Sequence, residues 1–257
     1  MRIQGLFVSN HREPDRGGTK RTAYDYESIP VGYYDAVYRR ACGVQSKWHH
    51  LKFDRFREEL AGFTRHLDIG CGPGTFIASL GPEHDSAGVD IAPSQIAYAC
   101  AHYGAPHRRF RAIEGGPLPF AAGSFDAVTV IELIEHLPAE DNLALLGEAL
   151  GLLRPGGKLL VSTPNYGGLW PLVEALVNRL GETSYADQHI TRYDRTALRD
   201  LLVRAGGTEI SVGAYMGLAP FTACLGWRFA DSIARLEPGA LVDAYGLLLF
   251  ATARRSR

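Results

Sequence analysis

The chain has no run of 18 apolar residues, which removes a membrane-spanning helix from consideration. Met1 is followed by Arg2 and by no apolar stretch, so no secretory leader is expected. Cysteine is scarce. Cys42, Cys71, Cys100 and Cys224 show no Cys-x-x-Cys spacing and read as buried thiols in a reducing cytoplasm. Excess charge is also missing: 27 Lys and Arg balance 28 Asp and Glu, so composition alone offers no surface for nucleic acid. No internal repeat is evident. What is left is a 257-residue chain, long enough for one large α/β domain or for a domain with a small cap. It is expected to be cytoplasmic and at most peripheral to a membrane.

The stretch Leu67-Asp68-Ile69-Gly70-Cys71-Gly72-Pro73-Gly74-Thr75-Phe76 organises what is present. A short apolar run ending in Asp68 reads as a buried strand, and Gly70, Gly72 and Gly74 follow at alternate positions. Glycine lets the backbone turn sharply there and approach a ligand at a distance that a Cβ would prevent. Thr75 to Leu80 restarts as a helix, so backbone N–H groups and the positive helix end face the space above the strand. The dinucleotide fingerprint places its third glycine three residues after the second. Here it comes after two, and Asp68 stands before the first. Dinucleotide binding is the competing reading, and a tight strand–helix connection needs glycine on steric grounds alone.

The chain then alternates as a doubly wound sheet does. Ser86 to Asp90 reads as a second strand, Pro93 to Tyr103 as a helix with proline near its start, and Arg109 to Ile113 as a third strand. Ala127 to Ile131 is apolar enough to be buried on both faces. A helix from Ala139 to Leu153 stops at Arg154-Pro155-Gly156-Gly157, and Lys158 to Thr163 is strand five. Asp194 caps a helix running to Ala205, Thr208 to Val212 gives strand six, and Leu247 to Ala253 a last strand. Ahead of the first strand, Tyr34, Val37, Tyr38, Leu51, Phe53, Phe56 and Leu60 recur at helix spacing between Tyr33 and Leu60. Residues 1 to about 28 lack periodicity and are expected to be mobile, leaving 29–257 as the domain.

The DxGxGxG turn, with Leu118-Pro119-Phe120 and Ser124-Phe125-Asp126 ahead of strand four, resembles the class I S-adenosylmethionine (SAM) methyltransferases. The resemblance runs through about 140 residues in the expected order. It implies a Rossmann-like, doubly wound, seven-stranded α/β sheet whose last strand lies antiparallel between its neighbours, with an N-terminal helical cover. It also implies that Asp68, Gly70, Gly72 and Gly74 border the cofactor. Asp90, 20 residues beyond Gly70, would accept both ribose hydroxyls. Glu114, where the family usually carries Asp, would sit near the adenine amino group, with Ile91 or Ile113 on the base and Ile131 beside the cofactor. Within Trp48-His49-His50-Leu51-Lys52-Phe53-Asp54-Arg55, either Arg55 or Lys52 is expected to reach the SAM carboxylate. Arg55 is favoured because a planar fork suits a carboxylate. The plain reading of that segment is a solvated helix with an aromatic face.

Strand four runs into Ile131-Glu132-Leu133-Ile134-Glu135-His136-Leu137. On one turn of helix, Glu132, Glu135 and His136 would share a face within an arc of roughly 100°. That face lies at the carboxyl end of a parallel strand, where ligands bind, and Glu-x-x-His spacing is one that helical metal sites use. Two subgroups of the family are similar here. Ubiquinone-biosynthesis O-methyltransferases carry Glu-x-x-Glu-His at this point. So do small-RNA 2′-O-methyltransferases, which bind a divalent metal through both glutamates, the histidine and a further downstream histidine. Both groups also carry a string after strand five that reads Ser162-Thr163-Pro164-Asn165 here, and His189 matches the downstream ligand. The quinone type is the better resemblance, since Trp48 to Arg55 also echoes it. The implied metal set is Glu132, Glu135, His136 and His189, with Asp187 or Gln188 placed to orient the His189 imidazole. Mg²⁺ is the family's usual ion, whereas Mn²⁺, Fe²⁺ and Zn²⁺ accept imidazole more readily. Without metal, Glu132 would act as a helix N-terminal acid and His136 or His189 as general base.

Leu169 to Leu180 is apolar apart from Glu174, Asn178 and Arg179, and Phe221, Leu225, Phe229 and Ile233 mark a second such region. These read as cap elements at about 166–190 and 214–240. They either pack on the core or a second subunit, or form a hydrophobic substrate lid that touches a membrane surface. The expected function is methyl transfer from SAM to a hydroxyl of a small hydrophobic or aromatic acceptor, assisted by a divalent metal, in a monomer or homodimer with no nucleic-acid partner. Metal-free N-methylation, RNA 2′-O-methylation and non-methylating SAM binding are the alternatives.

Overall fold

The computed structural model of the chain describes residues 29–180 and 188–256. The segment 1–28, expected to be mobile, lies outside the described residues, as do residues 181–187 of the first expected cap element.

Five parallel strands come first: β1 (Arg65–Ile69), β2 (Asp85–Asp90), β3 (Arg108–Ala112), β4 (Phe125–Ile131) and β5 (Leu153–Pro164). They are connected through α3 (Thr75–Ala78), α4 (Pro93–Tyr103) and α5 (Ala139–Leu152). Two more strands, β6 (Gly207–Tyr215) and β7 (Leu248–Arg255), complete the sheet in the order β3-β2-β1-β4-β5-β7-β6. β7 is antiparallel to both β5 and β6, the position expected for the last strand. The architecture is therefore the Rossmann-like, doubly wound α/β sheet. One local expectation changes. Pro155-Gly156-Gly157 does not separate helix from strand but forms an irregularity within β5, between the pairs Phe125–Leu153 and Ala127–Lys158. Gly156, at φ +77, supplies the left-handed residue.

Strand alternation decides which side chains meet which helices. Leu67 and Ile69 of β1 and Val128 and Val130 of β4 pack with Leu146 and Leu150 of α5 and with Leu198 and Leu202 of α7 (Arg195–Arg204). On the opposite face Ala127, Leu160 and Phe250 pack with Phe53 and Phe56 of α2 (Gly43–Leu60) and Phe76 of α3. Each buried Leu, Ile or Phe contributes about 1.5–3 kcal/mol relative to exposure. Asp194 caps α7 as expected, its Oδ1 accepting the Ala197 N–H at 2.8 Å.

The helical pattern from Tyr33 to Leu60 is two helices, α1 (Tyr33–Arg39) and α2, separated where Ala41 takes φ +48. Buried Asp35 fastens this cover to the domain, accepting the Tyr98 hydroxyl at 2.9 Å and the Thr75 hydroxyl at 3.2 Å. The cap elements are α6 (Trp170–Leu180), a 3₁₀ turn Ala219–Cys224, α8 (Trp227–Leu236) and α9 (Gly239–Tyr245). Lys47 of α2 is buried and holds α8 through an ion pair with Asp231 at 2.7 Å, its ammonium 3.6 Å from the Trp227 ring centre. The chain leaves β1 toward β2 on one side and later crosses to β4 on the other. A crevice therefore opens at the carboxyl ends of these strands.

Candidate active site

The crevice has a volume of about 870 Å³ and is bordered by the glycine turn, the ends of β2 and β4, the N-terminal cover and α6. Gly70, Gly72 and Gly74 all take positive φ, but they do different jobs. A Cβ on Gly72 would meet nothing within 4 Å, so this backbone faces open crevice. A Cβ on Gly70 would press on Leu133 at 3.1 Å, and one on Gly74 would run into the Phe110 ring at 2.7 Å. Gly70 and Gly72 border the crevice; Gly74 does not, and its lack of a Cβ serves the packing of Phe110 instead.

Asp90 accepts the Gly72 N–H on Oδ2 at 2.7 Å and the Ala92 N–H on Oδ1 at 2.9 Å, so it braces the turn from the end of β2 while facing the crevice. Asp68 lies buried at the floor, where burial pushes its carboxyl up to about 7. Ile91, Ile113 and Ile131 border the same space. Glu114 does not. β3 ends at Ala112, and Glu114 falls in the exposed turn that follows, while its neighbours Ile113 and Gly115 face inward.

Arg55 is the larger correction. Its guanidinium pairs with Glu58 at 3.4 Å and Glu59 at 2.8 Å on its own helix and stacks 4.6 Å from the Phe250 ring centre. That places it in a separate hollow of about 260 Å³ beside β6 and β7. Helical spacing explains this, because i+3 and i+4 are the positions a helical side chain reaches. Lys52, just under one turn earlier, points into the crevice instead, where it is buried and ion-paired with Glu132.

The acid–histidine constellation is brought together by a different geometry from the expected helical turn. Glu132 takes φ +48 immediately after β4, and only Ile134–His136 coil into a 3₁₀ turn, so Glu132 shares no helical face with Glu135 and His136. The Glu132 carboxylate accepts the Trp48 indole N–H at 3.3 Å and pairs with Lys52. It is not grouped with the other three residues. Glu135, His136 and His189 do converge, each offering one ligand atom within 4.8 Å of the others. The segment carrying His189 is strapped on by backbone bonds: the N–H groups of Ile190 and Thr191 donate to the Glu135 carbonyl at 2.9 and 3.1 Å. Asn142 of α5 holds the turn from below, donating to the carbonyls of Ile134 and Leu137.

The partners of these groups were not legible in advance. Nδ1 of His136 bonds the Gln188 carbonyl at 3.0 Å, so Gln188 orients His136 rather than His189. Asp187 lies outside the described residues. Nδ1 of His189 is 3.1 Å from Glu174 Oε1 and 3.0 Å from the Tyr166 hydroxyl. Glu135 accepts the Thr163 hydroxyl at 2.9 Å. With Nδ1 committed to an acceptor on each ring, Nε2 is the atom suited to a metal, and a carboxylate–histidine pair of this kind is how metal sites fix a tautomer. The donor set thus fits a divalent ion: one carboxylate and two imidazoles, each backed by an outer partner. Burial, with Glu132 adding to it, pushes the Glu135 carboxyl up to about 8. Burial lowers His189 to about 3, with a smaller push from His136, and also lowers His136. Both imidazoles are neutral at physiological pH.

A parallel sheet reversing its order beside a glycine turn, with acids at the strand ends, defines an α/β protein of the nucleotide-binding type. The chain belongs to the methyltransferase domain family, whose model matches residues 40–211, and its fold is that of the class I SAM-dependent methyltransferases. Among curated proteins it is similar to the ubiquinone biosynthesis O-methyltransferase of Xanthomonas oryzae pv. oryzae, 38% identical over 172 residues, which are 62% of this chain and 67% of that protein. The namesake from Xanthomonas axonopodis pv. citri is 38% identical over 122 residues, 45% of this chain and 48% of that one. The chain thus spans about half to two thirds of these relatives' lengths. In fold it is similar to a SAM-dependent methyltransferase from Archaeoglobus fulgidus (TM-score 0.58, 16% identity, 86% of this chain and 99% of that one). It is also similar to phosphoethanolamine N-methyltransferase 2 of Haemonchus contortus in complex with SAM (TM-score 0.59, 17% identity, 87% and 56%).

Proposed function

We propose that this methyltransferase acts on a hydroxyl of a small hydrophobic or aromatic acceptor, with a divalent metal held by Glu135, His136 and His189. The observation that carries the reading is the convergence of those three donors within 4.8 Å, with Nδ1 of both histidines held by outer acceptors. The curated relatives are named as O-methyltransferases, which supports oxygen as the methylated atom.

SAM supplies an electrophilic methyl on a sulfonium, and the protein's task is to bring the nucleophile into line with it. A metal at the cluster would lower the pKa of an acceptor hydroxyl and orient its oxygen. The crevice wall next to the cluster supports an apolar or aromatic acceptor. The Trp48 and Trp170 rings lie 5.7 Å apart, Trp170 lies 5.9 Å from His189, and Val173, Val177 and Phe221 continue the surface. The low basicity of His189 argues for a ligand over a general base, since a base works best near the operating pH. Exposed Leu172 and Leu176 on α6 support the further expectation of peripheral contact with a membrane surface. Among the described residues no helix is long and apolar enough to cross a membrane.

The deciding experiment incubates the chain with labelled SAM and a panel of phenols, with and without chelator, and reads product mass. An O-methylated phenol whose formation stops with chelator and resumes with added divalent ion is the expected result. Chelator-insensitive turnover, or methyl found on nitrogen, would overturn the reading.

A further inference from the structure

A buried polar chain crosses the centre of the sheet and takes no part in the reading above. His66 of β1 has no solvent exposure and lies edge-on to the Phe76 ring, yet both its nitrogens are bonded. Nδ1 is 3.1 Å from Ser86 Oγ on β2, and Nε2 is 2.9 Å from Thr129 Oγ1 on β4. Thr129 Oγ1 is in turn 2.6 Å from Oδ1 of Asp68. Strand register builds this arrangement. His66 pairs with Ser86 across β1–β2, Asp68 pairs with Thr129 across β1–β4, and the two-residue period puts His66 and Asp68 on the same face.

Proton accounting gives the chain a direction that depends on the charge of Asp68. An ionised carboxylate only accepts, so the one hydroxyl proton of Thr129 goes to Asp68. The Thr129 oxygen then accepts from His66, which must carry its proton on Nε2. Nδ1 accepts from the Ser86 hydroxyl. Each proton has one place, and the bonds polarise one another toward Asp68. With Asp68 protonated the order reverses: the Thr129 hydroxyl donates to Nε2 of His66 and the imidazole proton moves to Nδ1, toward Ser86, so the His66 tautomer follows the charge of Asp68. Asp68 Oδ2 accepts no hydrogen bond among the described residues, and the carboxylate borders the crevice.

We propose that His66 is a positioning residue for the cofactor: through Thr129 it fixes the Asp68 carboxylate so that Oδ2 receives the ammonium group of SAM. The inference rests on the crevice being the SAM site. The ammonium is the cationic group of SAM that carries N–H donors, the sulfonium having none. The charged and titratable groups facing Asp68 are Asp90 from β2, Lys52 from α2 and Cys71 from the turn, with His84 close to His66. Burial raises the Asp68 carboxyl, the Thr129 bond opposes that rise, Asp90 adds to it and Lys52 opposes it.

Calorimetry on the full chain with two probes tests the proposal. S-adenosylhomocysteine keeps the ammonium, whereas 5′-methylthioadenosine keeps adenosine and sulfur but has no amino-acid end. Thr129→Val and His66→Phe should weaken the first probe by about tenfold or more, the scale of one charged hydrogen bond, and leave the second unchanged. His66→Gln, whose amide can accept from Ser86 and donate to Thr129, should restore the first. Wild-type affinity for S-adenosylhomocysteine should fall on acidification below about 7, where Asp68 takes up its proton. That midpoint should move upward in Thr129→Val, because the ionised form has lost a donor. Equal losses for both probes, or no loss in variants that melt like wild type, would overturn the proposal. If His66→Phe does not fold, Thr129→Val against Thr129→Ser, which keeps the hydroxyl, decides the same question. A wild-type chain that binds neither probe would instead overturn the SAM site, and this proposal with it.

Discussion

Replacing Glu174 tests the histidine cluster without touching any of its donor atoms. Glu174 is 6% exposed and its Oε1 lies 3.1 Å from His189 Nδ1 and 3.0 Å from the Tyr166 hydroxyl. The carboxylate holds the imidazole in the Nδ1–H tautomer and its charge makes Nε2 the stronger ligand. Loss of such an outer partner weakens metal binding by about 10–100-fold, or ~1.4–2.8 kcal/mol. Glu174→Gln keeps an acceptor oxygen without the charge and should fall near the lower figure. Glu174→Leu removes both and should fall nearer the upper one, with the Tyr166 hydroxyl, 3.0 Å from Nδ1, the acceptor that remains. The backbone of the segment is anchored independently through Ile190 and Thr191, so the loop should stay in place. The assay is calorimetric titration with Mn²⁺, and S-adenosylhomocysteine affinity is the internal control. Glu174→Leu with wild-type ion affinity and an unchanged melt would refute the metal reading of the cluster.

Asp90→Ala should weaken SAM by about 1.5–3 kcal/mol, since it removes a charged acceptor and also unbraces Gly72; calorimetry on the folded variant checks it, and unchanged affinity would take Asp90 out of the site. Arg55→Ala should leave SAM affinity within about twofold while Lys52→Met weakens it severalfold, because only Lys52 faces the crevice; the opposite ranking in a binding titration would restore Arg55. Asp68→Asn should be more stable than wild type above neutrality. The folded carboxyl sits at about 7 against 3.8 for an aspartate in the unfolded chain, so its contribution is full below pH 4 and is lost as pH rises toward 7. The melting-temperature advantage of the variant should therefore grow from pH 4 to 7 and level off above, and a constant gap would show Asp68 to be unperturbed.

Strand and helix order was readable because it depends on short-range pattern. The glycine turn, the alternation of buried runs and the Asp194 cap each declare themselves within a few residues, and the sheet followed. The crevice positions of Gly72 and Asp90 were readable because backbone position alone decides them. Sites were misread where a side chain chooses between directions. Arg55 and Lys52 are less than one helical turn apart, and spacing alone does not say which points inward. What decides is that Glu58 and Glu59 stand ready beside Arg55, whereas Lys52 finds Glu132 across the crevice. Glu132 was assigned to a helical face that does not exist, because the strand continues to Ile131 and the next residue reverses hand. Glu174 and Thr129 gave no local signal at all. Their roles come from register between segments far apart in sequence, which no window of pattern contains.

The crevice concentrates Asp68, Asp90, Glu132 and Glu135 around Lys52, the one lysine or arginine bordering it among the described residues. Gathering buried acids this closely opposes folding, even with the hydrogen bonds each of them makes. Asp68 and Glu135 are both held far above ordinary carboxylate values, mainly by burial, with acidic neighbours adding to the rise. Cost of this kind gathers at functional sites, and the charge of the cofactor shows what it supports. SAM carries an ammonium, a carboxylate and a sulfonium, one net positive charge. After methyl transfer the sulfonium becomes a neutral thioether, and S-adenosylhomocysteine carries none. On the proposed SAM site, a crevice lined by more acids than bases attracts the methyl donor more strongly than the spent product, and does so increasingly as Asp68 and Glu135 ionise with rising pH. On that same proposal the acids favour exchange of product for fresh cofactor, and Lys52, paired with Glu132, is the cation placed to meet the donor's own carboxylate.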